Sequence, residues 1–184
     1  MSDAQRCYDL LASLDLINRE HSVRVGKLAF SLANRLKQKH IQICTNYFSY
    51  VLHDVGKIKI PKDILLKNGK LSTEEFNQIK LHTVYGQSLL KDLGAEQEAI
   101  SVALFHHENW DGSGYPFGLS GNSIPIEARL CRIVDSYDVI TSRRAYKEKG
   151  IHEDAIKDLI RYKATWYDPE LVNFFQEVMK TCHF

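Results

Sequence analysis

Seven residues of this chain have the types and placement to hold divalent metal: His21, His53, Asp54, His82, His106, His107 and Asp135. The densest stretch is His106 to Pro116, which reads HHENWDGSGYP. Adjacent residues project about 100° apart on a helix, so two neighbouring histidines converge on one ion only where a helix ends and the chain turns. The DGSG that follows supplies that end, because glycine is costly inside a helix and Asp and Ser favour turns. The simpler reading is a pair of partly exposed histidines before a surface turn. The pair His53–Asp54 sits in an otherwise apolar run. A buried carboxylate needs a cation, and Asp54 has two candidates: Lys57 as an ion-pair partner, or a metal. Carboxylate oxygens can bridge two metals, which makes such a pair a natural core for a binuclear centre. Five imidazoles and two carboxylates on inward faces exceed what a core tolerates unpaired. They suit two divalent ions with positions left open for solvent. The mixed donor set fits iron, manganese or zinc.

The elements that must carry these residues are helical. The chain has only 4 prolines and 10 glycines in 184 residues, and long stretches lack both. Apolar spacing predicts a first helix over about 3–17, with Leu10, Leu11, Leu14 and Ile17 on one face, and a second over about 20–39 that begins its inward face at His21. Residues 45–56 read as a buried helix ending at Gly56, with His53 and Asp54 in its last turn. Residues 58–70 read as a loop with one short turn. Ser72 and Glu75 form a capping-box pattern opening a helix to about Asp92, with His82 inward. Gly86 on that helix leaves room for another backbone. A helix over about 96–107 carries the histidine pair. Pro125 opens another, to about Ser142, with Asp135 among Leu130, Ile133, Val134 and Tyr137. Arg143, Arg144 and Lys147 at its end either satisfy the helix dipole or hold a phosphate. Two more helices, about 153–163 and one from Asp168–Pro169 onward, read as packing elements. His40, His152 and His183 read as surface residues.

Composition narrows the class. Hydrophobic residues are 44% and charged residues 26% of the chain, with a formal net charge of +1. This is ordinary for a soluble globular protein and gives no reason to expect a nucleic-acid polymer as partner. The 4 cysteines are widely spaced, with no CxxC pair, which argues against a thiolate zinc site and fits a reducing cytoplasm. No apolar run is long enough to span a bilayer and no signal peptide is evident.

The order H…HDVGK…H…HH…D, together with HHENWDGSGYP and TSRRAY, resembles the HD-GYP domain family of metal-dependent cyclic dinucleotide phosphodiesterases. The likeness runs from about His21 to Pro169 and includes IPKDILLKNGKL and GLSGNSIPIEARL. The HD pair alone is shared with the wider HD superfamily; the GYP loop with paired histidines is the more specific signal. The resemblance implies an all-α, single-domain helical bundle of the HD-domain type, about seven helices, with the metal site in the bundle core. Residues 1–18 would form an N-terminal helix, 19–148 the metal-site core and 149–184 C-terminal packing helices.

It further implies roles. His21, His53, Asp54 and Asp135 match ligands of a first metal. Asp54 bridges to a second, completed by His82, His106 and His107. Lys57 lies near the scissile phosphate, and Arg144 and Lys147 hold substrate phosphates. Gly114, Tyr115 and Pro116 are the signature loop beside the site. Two iron or manganese ions are expected, with zinc or another transition metal as alternatives. Some family members carry a glutamate ligand to a third metal where this chain has Ile17, so no third ion is expected. Solvent shared by the two cations would attack phosphorus and open cyclic di-GMP to pGpG, with GMP as a later product. The alternatives are 3′,3′-cyclic GMP-AMP as substrate, another HD-type phosphohydrolase activity, or a non-catalytic module that binds the nucleotide or a diguanylate cyclase. Only 20 residues precede His21, so a sensor or receiver domain is either missing or not needed.

Overall fold

The computed structural model describes residues 3–142 and 151–181. Arg143, Arg144, Lys147 and His183 lie outside them. Among the described residues there are ten α-helices, two short 3-10 helices and no strand. The all-α expectation is met, with more and shorter helices than the sequence pattern gives.

The first helix, α1 (Asp3–Ala12), stops short of Ile17, and a turn leads to Asp15. Asp15 caps α2 (Leu16–Gln38) by accepting the Asn18 amide at 3.0 Å, satisfying one of the unpaired donors of its first turn. Ile17 therefore belongs to the start of α2, where it is 75% exposed, and not to the apolar face of α1.

The run 45–56 is not one helix. Helix α3 (Tyr47–Val51) ends early and a 3-10 helix follows over Val55–Lys59. His53 and Asp54 lie in the turn between them. Gly56 does not serve as a left-handed cap. A Cβ there would collide with the His82 carbonyl and the Gly86 amide, so Gly56 is required by the close approach of the next histidine-bearing helix. Gly86, on the other side of that contact, lies against the Gly56 backbone as its small size suggests.

Helix α4 (Lys62–Leu65) is the short turn in the expected loop. The span 73–92 divides at Leu81 into α5 (Thr73–Lys80), with its capping box formed, and α6 (His82–Asp92). Helix α7 (Gln97–Phe105) stops at the histidine pair. It is followed by α8 (Ile126–Ser142), α9 (Ile151–Arg161) and α10 (Pro169–Thr181). Asp168 caps α10 through the Glu170 and Leu171 amides at 2.8 and 3.2 Å.

Two apolar clusters hold the bundle. One joins α2 to α8, α9 and α10 through Val25, Leu32, Leu130, Leu159 and Phe175. The other joins α1, α3, α6 and α7 through Leu11, Val51, Leu90 and Ala103. Each fully buried aliphatic or aromatic side chain contributes about 1.5–3 kcal/mol. The histidine-bearing segments lie where α2, α6, α7, α8 and the 3-10 helix meet. No described helix is long and apolar enough to cross a membrane.

Candidate metal centre

The centre is organised around Asp54, which is 2% exposed. Its two oxygens face different histidines. Oδ2 lies 3.4 Å from His53 Nε2 and 3.7 Å from His21 Nε2. Oδ1 lies 3.3 Å from His82 Nε2 and 3.7 Å from His106 Nε2. Potential ligand atoms of Asp54, His82, His106 and His107 all fall within 4.8 Å of one another, as do those of His21, His53 and Asp54. Asp135 joins through His21, its Oδ1 lying 3.1 Å from Nε2. All seven candidate residues are thus brought together, around a carboxylate that serves both groups.

The rings are aimed by the local backbone. His53 Nδ1 donates to the Tyr50 carbonyl at 2.9 Å, His82 Nδ1 to Ile79 at 2.7 Å, and His106 Nδ1 to Val102 at 3.0 Å. Each carbonyl lies three or four residues earlier, the reach of a helical turn. A carbonyl can only accept, so each Nδ1 carries the proton and each Nε2 is left for the centre. The His107 ring stacks on Tyr115, with ring centroids 4.8 Å apart and planes 26° from parallel.

These groups fit a cation better than they fit one another. His53 Nε2 and Asp54 Oδ1 are buried with no hydrogen-bond partner, and an orphaned buried acceptor costs about 1–3 kcal/mol. Bound metal would satisfy both. Lys57 also supplies a positive charge, with its Nζ on Asp54 Oδ2 and 3.3 Å from Asn18 Oδ1. The ion-pair reading of Lys57 is met, and its side chain also lines the cleft beside Asp54.

Burial and charge divide the centre. Burial raises the Asp54 pKa, but Lys57 and His53 outweigh it and hold the carboxyl well below its usual range. Burial lowers the Lys57 pKa, yet Asp54 raises it overall, so the ammonium persists. For His21 burial is overcome by Asp135 and Asp138, and its pKa rises to about 9. Burial dominates at His82, lowering its pKa to about 4, and depresses His106 and His107 as well.

An open cleft of about 320 Å³ is lined by His21, Asp54, Lys57, His107 and Asp135, with Ile17 and Val139 beside them. Ile17 lies beside the first histidine group and offers no ligand atom.

The signature loop is positioned by close backbone contact. A Cβ at Gly114 would collide with the backbone of His107, Glu108 and Asn109. The Tyr115 amide donates to the His107 carbonyl at 3.1 Å. Three residues outside the expected set complete the structure. Glu108, 2% exposed, accepts the Phe117 and Leu119 amides at 2.8 and 3.0 Å. Asp138 contacts His21 and Arg24. Arg132 reaches Asn109 Oδ1 at 3.3 Å. The two acids left signals in the sequence, one directly after the histidine pair and one a helical turn beyond Asp135.

A family model described as HD domain matches residues 5–171. The chain belongs to the HD domain family. This HD domain is 39% identical over 173 residues to a cyclic di-GMP phosphodiesterase of Thermotoga maritima, covering 90% of this chain and 46% of the relative. It is 40% identical over 128 residues to a 3′,3′-cGAMP-specific phosphodiesterase of Vibrio cholerae, covering 68% of this chain and 24% of that protein. The chain spans less than half the length of these curated relatives. A solved structure of a cyclic GMP-AMP-specific phosphodiesterase of V. cholerae shares this chain's fold, with a TM-score of 0.64 at 17% identity over 88% of this chain and 44% of that one.

Proposed function

We propose that this HD domain is a metal-dependent phosphodiesterase that opens cyclic dinucleotides, with cyclic di-GMP as the leading substrate. The observation that carries the reading is the division of Asp54 between two histidine groups, with Oδ1 and His53 Nε2 otherwise unsatisfied. His21, His53, Asp54 and Asp135 would hold one divalent ion, and Asp54, His82, His106 and His107 a second, iron or manganese suiting the donors. When bound, such ions supply an acidified water and neutralise charge on phosphoryl oxygens.

The chain's own residues do the rest. His53, His82 and His106 keep their Nδ1 protons, donated to backbone carbonyls, so the ring edges facing the centre do not vary. Lys57 keeps a positive charge at the cleft floor, where a phosphoryl oxygen gathers charge during cleavage. Asn18 Oδ1 accepts a second bond from its Nζ. Arg144 and Lys147 would hold the remaining phosphates. Gly114, Tyr115 and Pro116 would act through His107, on whose ring Tyr115 stacks.

Cyclic GMP-AMP is the second reading, favoured by the Vibrio cholerae relative specific for it. The test is elemental analysis of anaerobically purified protein, run beside chromatography of both dinucleotides after incubation. About two iron or manganese ions per chain with linear product from cyclic di-GMP is the expected result. Faster opening of cyclic GMP-AMP would transfer the assignment to that substrate. Full metal loading with neither hydrolysed would make the chain a binding module. Absence of metal under those conditions would remove the centre from the argument.

A further inference from the structure

Asp138 is placed to control one half of the centre. His53, His82 and His106 rest their Nδ1 atoms on backbone carbonyls, whereas His21 Nδ1 meets the Asp138 carboxylate, Oδ2, at 2.8 Å. Asp138 is itself gripped by a guanidinium. Arg24 Nε donates to Oδ1 at 2.8 Å and Nη2 to Oδ2 at 2.9 Å, while the Ser142 hydroxyl adds a bond at 3.3 Å. Arg24 lies three residues after His21 on α2, and Asp138 three residues after Asp135 on α8. The two helices therefore face each other with His21 bonded to both acids, and Arg24 anchoring the outer one.

An ionised carboxylate only accepts, so Nδ1 of His21 keeps a proton and Nε2 is the atom left facing Asp135 and Asp54. A carboxylate behind a ligating imidazole also raises its basicity, and loss of such a partner typically costs 10–100-fold in metal affinity. A backbone carbonyl brings no net charge. We propose that Asp138, locked by Arg24, is a positioning residue that sets the metal affinity of the His21 half of the centre and leaves the three-histidine half unaffected. The proposal rests on the cluster binding metal, and the experiment separates the two.

Chelator-stripped wild type, Asp138→Ala, Asp138→Asn, His21→Ala and the His21→Ala/Asp138→Ala double variant are titrated calorimetrically with Mn²⁺, and folding is followed by circular dichroism. In Asp138→Ala one of two positions should weaken by about 10–100-fold, while the other keeps its affinity. Asp138→Asn should show a smaller loss, since its amide oxygen still accepts from Nδ1. In the double variant Asp138→Ala should add nothing to the effect of His21→Ala, because both act through one ring. Unchanged affinity in folded Asp138→Asn and Asp138→Ala overturns the proposal, as does an Asp138→Ala loss that persists in full without His21. If Asp138→Ala fails to fold, wild-type affinity in folded Asp138→Asn overturns it alone. Normal Mn²⁺ binding by His21→Ala would instead overturn the metal reading beneath it.

Discussion

Replacing Glu108 by alanine should release the loop that brings Tyr115 onto His107. The Glu108 carboxylate is buried and accepts two main-chain amides, Phe117 at 2.8 Å and Leu119 at 3.0 Å. Hydrogen bonds to a charged group contribute about 1.5–3 kcal/mol each. Phe117 is exposed and Leu119 half-buried, so the released amides regain some solvent, and the expected loss is about 2–4 kcal/mol in all. Glu108→Gln retains one oxygen acceptor and should lose roughly half of that. Hydrogen exchange at Phe117 and Leu119 reads the change directly. A loss of that size accelerates exchange on the order of 100-fold at these amides, at tenfold per 1.4 kcal/mol. Urea denaturation tells whether the loosening stays local or reaches the bundle. Opening confined to the loop leaves amides of α2 and α8 protected and still lowers metal occupancy, since His107 loses the ring stacked on it. Wild-type exchange at both amides, with unfolding free energy within about 0.5 kcal/mol of wild type, would refute the assignment of Glu108 as the loop's anchor.

Three further outcomes are expected. Asp54→Ala should remove metal and hydrolysis together, because both histidine groups share that carboxylate; elemental analysis showing either ion retained at full occupancy would contradict its bridging role. The metal-free protein should be most stable near pH 6.5. The His82 pKa falls from 6.5 to about 4 on folding, so its contribution is complete above 6.5 and about 3 kcal/mol is lost as pH drops toward 4. His21 behaves in the opposite sense. Its pKa rises to about 9, so its contribution is complete below 6.5 and fades as pH climbs toward 9. Urea titrations in chelator at pH 4.5, 6.5 and 8.5 that gave a flat profile would dispose of both assignments. Ile17→Glu places a carboxylate on the cleft wall beside His21 and should add a weak additional metal, visible as raised stoichiometry in Mn²⁺ titration; unchanged stoichiometry would mean that the α2 N-terminus does not reach the centre.

The residues of the centre were legible because each breaks the pattern around it. His21, His82 and Asp135 fall on apolar helical faces, and a polar group there must find a partner. The end of α7 was legible for a similar reason, since DGSG cannot continue a helix and α7 does stop at Phe105. The apolar run 45–56 offered no such contrast. With Tyr47, Phe48, Val51, Leu52 and Val55 all hydrophobic, periodicity does not mark where the α-helix gives way to the turn carrying His53 and Asp54. What decides it is tertiary: the His82 carbonyl presses on Gly56 so closely that only glycine fits. Glu108 and Asp138 escaped for another reason. Each is an acid whose partners lie elsewhere, two amides beyond Pro116 for one, and a helix 114 residues earlier for the other. Backbone amides have no side-chain signature, and distance along the chain hides a pair whose members are ordinary by themselves. The trace that remains is spacing, His21 with Arg24 and Asp135 with Asp138, each separated by one helical turn. An acid on a buried helix declares that it needs a cation or donors; two such spacings on helices that pack together also indicate where to look.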